Sequence, residues 1–570
     1  MKYFLSILVV VLTLDAKSLD NIEEEIVKKQ IGRMLIVGFD NRMVNKHSKI
    51  VQYIQKYDLG GVILFDKHFK YRGKVKNITS PQQLTRLTQR LKSFAHKPLL
   101  ISIDQEGGKV ARLKPKDGFI KVPSAFNISK MDVIKAKKTY DKQSKMLYNC
   151  GINCNFAPVV DLAVNPKNRV ISGLQRSFGN LSSTTKYAKI FIQSQKDNNI
   201  ISVLKHFPGH GSSFGDSHKG FVDISKTWTT RELEPYKELM KDNNIDMIMT
   251  AHVFNSYLDK RYPATLSFKI NSELLRGKLN YKGLIVSDDM QMKAITKHYS
   301  LKQSVTLAIN AGVDILLFGN QLATQDVDEL VEVIYEQIKK GAIKYERILE
   351  SNRRIENLHT KHSIVYKPIK FGDERIALTK EYIKIHYGLD VEDIRIKPKS
   401  IVLHWTGLMK FSWCFNSMNQ EKIISDRAYI KRAGLLNVSA HFLIQRDGTI
   451  NQLMPDNWMA RHVIGLNYNA IGIENIGGKG NRSEDLTEAQ VIANVKLIQY
   501  LKQKYPDIEY LLGHFEYFDM EKTPLWLELN KRYRTYKDDP GPKFMKSVRE
   551  KIKDLNLKSP YSSANTHDHP

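Results

Sequence analysis

The chain has 570 residues, too many for one hydrophobic core, and its 42% apolar content suits folded globular domains and excludes extensive disorder. A formal charge of +28 implies attraction to polyanions such as nucleic acid, anionic membrane or acidic cell-wall polymer. The Lys and Arg are scattered, with no basic run interleaved with aromatics, so a lysine-rich set of solvated faces accounts for the charge equally well and no nucleic-acid partner is expected.

The first segment, residues 1–18, has the pattern of an export signal. Lys2 precedes the apolar run Tyr3–Leu14, and small residues follow at Ala16 and Ser18. The run is too short to span a bilayer, which takes about 20 residues, so no stable membrane insertion is expected. The expected location is the periplasm or cell envelope. Cys150, Cys154 and Cys414 form no cluster with zinc-site spacing, and their odd count leaves at least one unpaired. They are expected as small buried apolar groups.

From about residue 22 to 362 one pattern repeats: an apolar run, a polar end, then a helix-compatible stretch. The predicted strands are Met34–Phe39, Gly61–Phe65, Leu99–Asp104, Asn155–Asp161, Ile201–His206, Met247–His252, Leu284–Asp288 and Asp314–Phe318. Strands in this number, alternating with helices, predict an α/β fold of the (β/α)₈ TIM-barrel class. Such barrels carry their chemistry at the C-terminal strand ends, which here read Asp104, Asp161, Lys205-His206, His252 and Asp288. The helix Lys344–Leu358 closes the pattern. Residues 363–398, mixed and lysine-rich, are expected as a linker. A smaller α/β domain with a mixed central sheet is expected over 399–554, with strands at Ser400–Trp405, Ala440–Gln445, Thr449–Leu453, Ala470–Ile476 and Tyr510–His514. Its clearest helix is Asp485–Lys504, where Thr487 and Gln490 make a capping box and Val491, Val495, Ile498 and Leu501 form a stripe. The tail 555–570 is expected to be disordered.

Three barrel segments stand out: Asp104–Arg112 and Lys205–His218, where ionisable groups lie beside glycines, and Ser287–Met290 with its paired aspartates. Neither glycine-rich stretch fits a phosphate-binding P-loop. Glycoside hydrolysis needs a proton donor to the leaving oxygen and, in retaining enzymes, a carboxylate nucleophile. Residue chemistry by itself leaves Asp288 and Asp104 both open as that nucleophile. Together these motifs resemble glycoside hydrolase family 3, in the branch of NagZ-type β-N-acetylhexosaminidases. The resemblance covers roughly Ile22 to Leu358. It implies a retaining, metal-independent mechanism with Asp288 as nucleophile and His218, paired with Asp216, as acid/base. It further implies that Asp104, Arg112, Arg176, Lys205 and His206 bind the sugar. Glu106 is the next acid/base to consider. Enzymes of this branch are often cytoplasmic, a departure from the export pattern here.

The C-terminal region contains His404, His441, His462 and His514, with Asp539 ahead of Pro540-Gly541. Catalytic zinc sites use three such ligands and one open position, but spacings this long prove nothing alone. The segments Ile401–Thr406, Ser439–Ile444, Ile471–Glu474, Gly513-His514 and Lys537–Gly541 resemble the AmpD-like zinc N-acetylmuramoyl-L-alanine amidases, from about Lys399 to Lys551. That resemblance implies that His404, His514 and Asp539 bind Zn²⁺, Glu474 acts as general base and Lys537 stabilises the oxyanion. His441 and His462 are expected to line the groove. The two families act on adjoining bonds of peptidoglycan, so the expected substrate is peptidoglycan or its muropeptides. A β-N-acetylglucosaminidase with a non-catalytic, wall-binding amidase fold is the alternative.

Overall fold

The computed structural model describes residues 24–69, 71, 73–217, 219–241, 245–423 and 428–560. The export segment and His218 lie outside them. The described chain divides into two compact units between Leu358 and His359.

In the first unit eight parallel strands close into a barrel: β1 Leu35–Gly38, β2 Gly61–Leu64, β3 Leu100–Ile103, β4 Cys154–Asn155, β5 Ile201–Phe207, β6 Met247–Thr250, β7 Leu284–Asp289 and β8 Ile315–Phe318. Each pairs with its sequence neighbours, and β8 pairs back onto β1, with Leu35 beside Leu316, so no edge remains. The strands are continuous apolar runs, as parallel strands covered on both faces require. Gly38 permits the closing seam, because a Cβ there would lie 1.9 Å from the Gly319 carbonyl oxygen. The expected strand Asn155–Asp161 is shorter than its sequence suggests. Pro158 supplies no amide donor, and beyond Asn155 the chain keeps to the sheet through single contacts such as the bridge between Val159 and Lys205.

The second unit is built on a six-stranded mixed sheet. Its strands are β9 Val365–Tyr366, β10 Ser400–Trp405, β11 Phe442–Ile444, β12 Ile450–Gln452, β13 Ala470–Asn475 and β14 Tyr510–Gly513, in the order β9-β12-β11-β13-β10-β14. Only β11 and β12 run antiparallel. Helix Glu488–Lys504 starts at the reciprocal Thr487–Gln490 cap and buries Val491, Leu497, Ile498 and Leu501 against Ile401, Phe442 and Ile473.

The linker expected over 363–398 is instead part of this unit. β9 lies beside β12, and helix Asp373–Tyr387 buries Leu378, Tyr382, Ile383 and Tyr387 with Leu436 and Met459. The buried stripe also holds Arg375, Thr379 and His386, whose polarity hides its period from a hydropathy reading. Each makes at least one hydrogen bond. Arg375 donates to the carbonyls of Met418 and Gln420, at the end of helix Phe411–Asn419; Thr379 donates to the Arg375 carbonyl; His386 meets Glu528 and the Ala433 carbonyl. The tail also begins later than expected: Leu555 and Leu557 pack on the core, and Lys558 bridges to Tyr510. Residues 561–570 lie outside the described chain. All three cysteines are buried and free. Among the described residues no helix is long and apolar enough to cross a membrane.

Candidate active sites

The residues at the barrel's C-terminal rim form one continuous chain of charge. After β3 the backbone turns through the hairpin Gln105–Gly107/Val110–Ala111, which brings Arg112 back onto Asp104 at 3.1 Å. The turn needs glycine at 107 and 108. Both have positive φ, and a Cβ would fall 2.3 Å from the Pro123 oxygen or 2.6 Å from Ser124 Cβ. Lys205, on β5, reaches Asp104 at 2.9 Å and Glu106 at 2.8 Å. Glu106 in turn takes a two-point contact from Arg176, at 2.8 and 2.7 Å. The Nη of Arg176 that bonds Glu106 also lies 3.2 Å from His206 Nε2, and His206 Nδ1 lies 2.7 Å from Asp161. Arginine only donates, so His206 Nε2 accepts and Nδ1 carries the hydrogen given to Asp161. Three carboxylates thus balance three permanent cations in a largely buried site.

These pairings set the protonation states. Burial pushes Asp104 upward, but Lys205 and Arg112 override it and hold the carboxyl well below its usual range. Glu106 is likewise lowered, burial being outweighed by Arg176 and Lys205. An ionised, doubly paired carboxylate is no proton donor, so Glu106 is an anchor for Arg176 and Lys205 and a poor substitute for the acid/base. His210 is buried, pushed down to about 4 by burial and by His206, and bonded to Ser213 Oγ at 2.6 Å.

Asp288, the penultimate residue of β7, is half-buried and accepts the Asp289 amide at 2.7 Å. Its neighbour is differently engaged: Asp289 Oδ1 accepts the amides of Gln291 and Gly319, which fastens β7 to the end of β8. His252 Nε2 lies 2.9 Å from the Asp289 carbonyl, so it holds the same strand end from the β6 side. Asp216 is half-buried, in a turn closed by the Lys219 amide. The Ser217 carbonyl accepts the Ala294 amide, which ties that loop to the segment after β7.

In the second unit strand register builds the site. His404 on β10 stands opposite Glu474 on β13, and Leu403 stands opposite Gly513, so His514 comes next to His404 in the same row. His404 Nδ1 lies 2.9 Å from His514 Nδ1 and 3.2 Å from Asp539 Oδ2, and His514 Nδ1 lies 3.1 Å from the same oxygen. Asp539 is buried while Asp538 is exposed, and the Phe515 amide holds the Asp539 carbonyl. Lys537 is half-buried, near enough to help lower His404, which burial and His514 already push down to about 4. Asp539 is held well below its usual range, burial being overcome by the two histidines.

The two remaining histidines depart from expectation. His441 is fully buried, with Nε2 donating to the Trp458 carbonyl and Nδ1 accepting the Gly472 amide, so it has no ring atom to offer a substrate. His462 Nδ1 faces His404 Nε2 at 3.0 Å, which makes it a neighbour of the metal triangle and not a groove wall.

Residues 26–358 match the family described as glycosyl hydrolase family 3 N terminal domain. The chain belongs to glycoside hydrolase family 3. Residues 395–542 of this family 3 protein match a second family, N-acetylmuramoyl-L-alanine amidase. It is 32% identical over 342 residues to beta-hexosaminidase A of Pseudoalteromonas piscicida, a match covering 55% of each chain, so it spans about half the length of that relative. It is 35% identical over 272 residues to the beta-hexosaminidase of Haemophilus influenzae, covering 46% of this chain and 73% of that one. In fold it resembles the family 3 β-N-acetylglucosaminidase of Paenibacillus sp. str. FPU-7, with a TM-score of 0.54 at 24% identity, over 85% of this chain and 84% of the other.

Amidases of the second family imply zinc, and the triangle fits it. Nitrogen and oxygen ligands at about 2.0–2.2 Å from a tetrahedral zinc lie about 3.3 Å apart. Two imidazole Nδ1 atoms and a carboxylate oxygen converge here at 2.9 to 3.2 Å, all from buried side chains.

One residue that no sequence motif singles out holds the barrel's glycine-rich loop. Glu232 Oε2 accepts the amides of Gly211 and Ser212 at 2.9 and 3.3 Å, and Gly209 packs against it. Its short motif Thr230–Leu233 looks like any helix start. Burial raises its pKa to about 7; the Ser212 hydrogen bond opposes this and the negative Asp161 adds to it. The ordinary carboxyl value of 4.5 serves as the unfolded reference. Between that value and about 7 the unfolded chain loses this proton while the fold keeps it, so stability should fall as pH rises. A shift of this size corresponds to about 3 kcal/mol. Urea unfolding of the wild type and Glu232→Gln across this range should therefore show the wild type losing more; parallel curves would refute the assignment.

Proposed function

We propose that the protein is a two-site hydrolase of bacterial peptidoglycan, releasing terminal β-linked GlcNAc at the barrel and cutting the MurNAc–L-alanine amide in the second domain. The observation that carries this reading is the buried His404–His514–Asp539 triangle, beside Glu474 and Lys537, in a chain whose other unit is a family 3 barrel. In the barrel, Asp104, Arg112, Lys205, Arg176 and His206 present fixed donors and acceptors suited to sugar hydroxyls. Asp288 attacks the anomeric carbon, and the proton needed by the departing oxygen comes from His218, with Asp216 orienting the imidazole. Water then releases the sugar, with His218 taking a proton back.

In the second domain zinc, when bound, lowers the pKa of water toward neutrality. Glu474 takes the proton during attack on the amide, and Lys537 balances the charge that develops on the carbonyl oxygen. The shared polymer favours this over a barrel joined to a non-catalytic wall-binding module. The positive charge suits an anionic wall, and the pattern over residues 1–18 supports export.

The two activities should separate. On a defined disaccharide-peptide, Asp288→Asn should abolish GlcNAc release and leave amide cleavage intact, while a chelator should do the reverse. Mass analysis of the products reads both; absent amide cleavage would favour the binding-module alternative, and chelator-insensitive cleavage would overturn the zinc dependence.

The acid/base role predicts a dependence on leaving group. His218→Ala should lose activity severely on GlcNAc–MurNAc and less on nitrophenyl-GlcNAc, with partial rescue by azide. Equal losses without rescue would take the role from His218.

Export predicts a shortened N-terminus. Protein recovered from its native host should begin near Lys17 or Leu19 and lie outside the cytoplasm; intact Met1 on cytosolic protein would overturn the proposal.

A further inference from the structure

The zinc triangle accounts for only one edge of the His404 ring. Its Nδ1 faces His514 and Asp539; its Nε2 faces His462 Nδ1 at 3.0 Å, with the two ring planes at 87°. The far nitrogen of His462 lies 3.4 Å from the Ala470 carbonyl oxygen. A carbonyl only accepts, so His462 Nε2 carries the hydrogen and its Nδ1, in the neutral ring, is a bare acceptor. The hydrogen between the two histidines therefore sits on His404 Nε2. That choice leaves the His404 Nδ1 lone pair pointing at His514 and Asp539.

We propose that His462 is a positioning residue that fixes the tautomer and the orientation of the metal ligand His404. The rest of the surroundings keep the His462 ring in place. Gly472 on β13 lies flat against it, and a Cβ there would be 2.6 Å from the ring's Cγ. The amides of His462 and Val463 both donate to Asn467 Oδ1 at 2.8 Å, so the segment bearing the ring is pinned by its own backbone. A second imidazole does here what a carboxylate or carbonyl commonly does behind a ligating histidine: it accepts the outer N–H and makes the inner nitrogen a better ligand.

This inference rests on the reading of the triangle as a zinc site, and the experiment separates the two. Zinc affinity is measured on the full chain by competition with a chelating dye, for wild type, His404→Ala, His462→Leu and His462→Asn. The asparagine oxygen falls where the histidine Nδ1 was and preserves the acceptor; leucine fills the space without one. His462→Leu should weaken zinc binding about ten- to a hundred-fold, while His462→Asn stays within a few-fold of wild type. Thermal unfolding of the metal-free proteins checks that the fold survives. Should the leucine variant not fold, nitrogen NMR of zinc-loaded wild type decides: His404 must show a protonated Nε2 and a metal-bound Nδ1, and the opposite assignment overturns the proposal. Wild-type affinity in His462→Leu, or an equal loss in His462→Asn, overturns it while leaving the zinc site standing. Equal zinc binding by wild type and His404→Ala overturns the zinc site and this inference together.

Discussion

The Lys205 ammonium, held between Asp104 at 2.9 Å and Glu106 at 2.8 Å, is the contact on which the barrel's mouth depends. Removing water from a lysine is costly, and only opposite charges at hydrogen-bond distance make burial tolerable. Its two carboxylates lie just beyond β3, and each brings a further cation, Arg112 or Arg176, from elsewhere in the chain. The rim is therefore assembled by mutual neutralisation. Each member keeps its place because its absence would leave another buried charge exposed to the low-dielectric interior. A polar ligand arriving at such a rim would meet oriented dipoles and charges that need little reorganisation.

The second unit reaches the same end by another route. Its functional side chains are brought abreast by strand register: His404 and Glu474 face each other on paired parallel strands, and His514 is the first residue past the end of the third, β14. The precision is that of the hydrogen-bond ladder, since a one-residue slip would turn each side chain to the opposite face. Asp539 and Lys537 come from a later segment, well outside the sheet. One enzyme thus contains two solutions to preorganisation, charge pairing in the barrel and ladder geometry in the smaller sheet.

Much of this was legible in the sequence, and the failures have definite causes. The barrel strands are apolar runs, five of them ended by ionisable residues, a pattern with few other uses, and all eight are present. Thr487–Gln490 announced its helix because capping is local. What escaped depended on distant partners. Glu106 reads as one acid among many until Arg176 and Lys205 are seen upon it. Glu232 has meaning only through two amides of a loop twenty residues earlier in sequence. His441 carried a family motif, yet its burial engages both ring nitrogens with backbone. The helix Asp373–Tyr387 was hidden because arginine, threonine and histidine occupy its inward stripe, and the partners of Arg375 and His386 lie on other segments.

That helix and the short strand before it determine where the chain can be cut. The family match in the second unit starts at residue 395, and the first long strand at Ser400, so either would tempt an excision there. Such a fragment would strip β12 of its outer neighbour and remove the amides of Lys367 and Ile369 from the carbonyls of Gln452 and Leu453. It would also take His386 from Glu528 and uncover the apolar surface around Leu436 and Met459. An open sheet edge beside an uncovered apolar face is a recipe for aggregation. A transplantable amidase module would have to begin ahead of Ile364, some thirty residues before its recognisable sequence, carrying a polar-faced helix as its built-in scaffold.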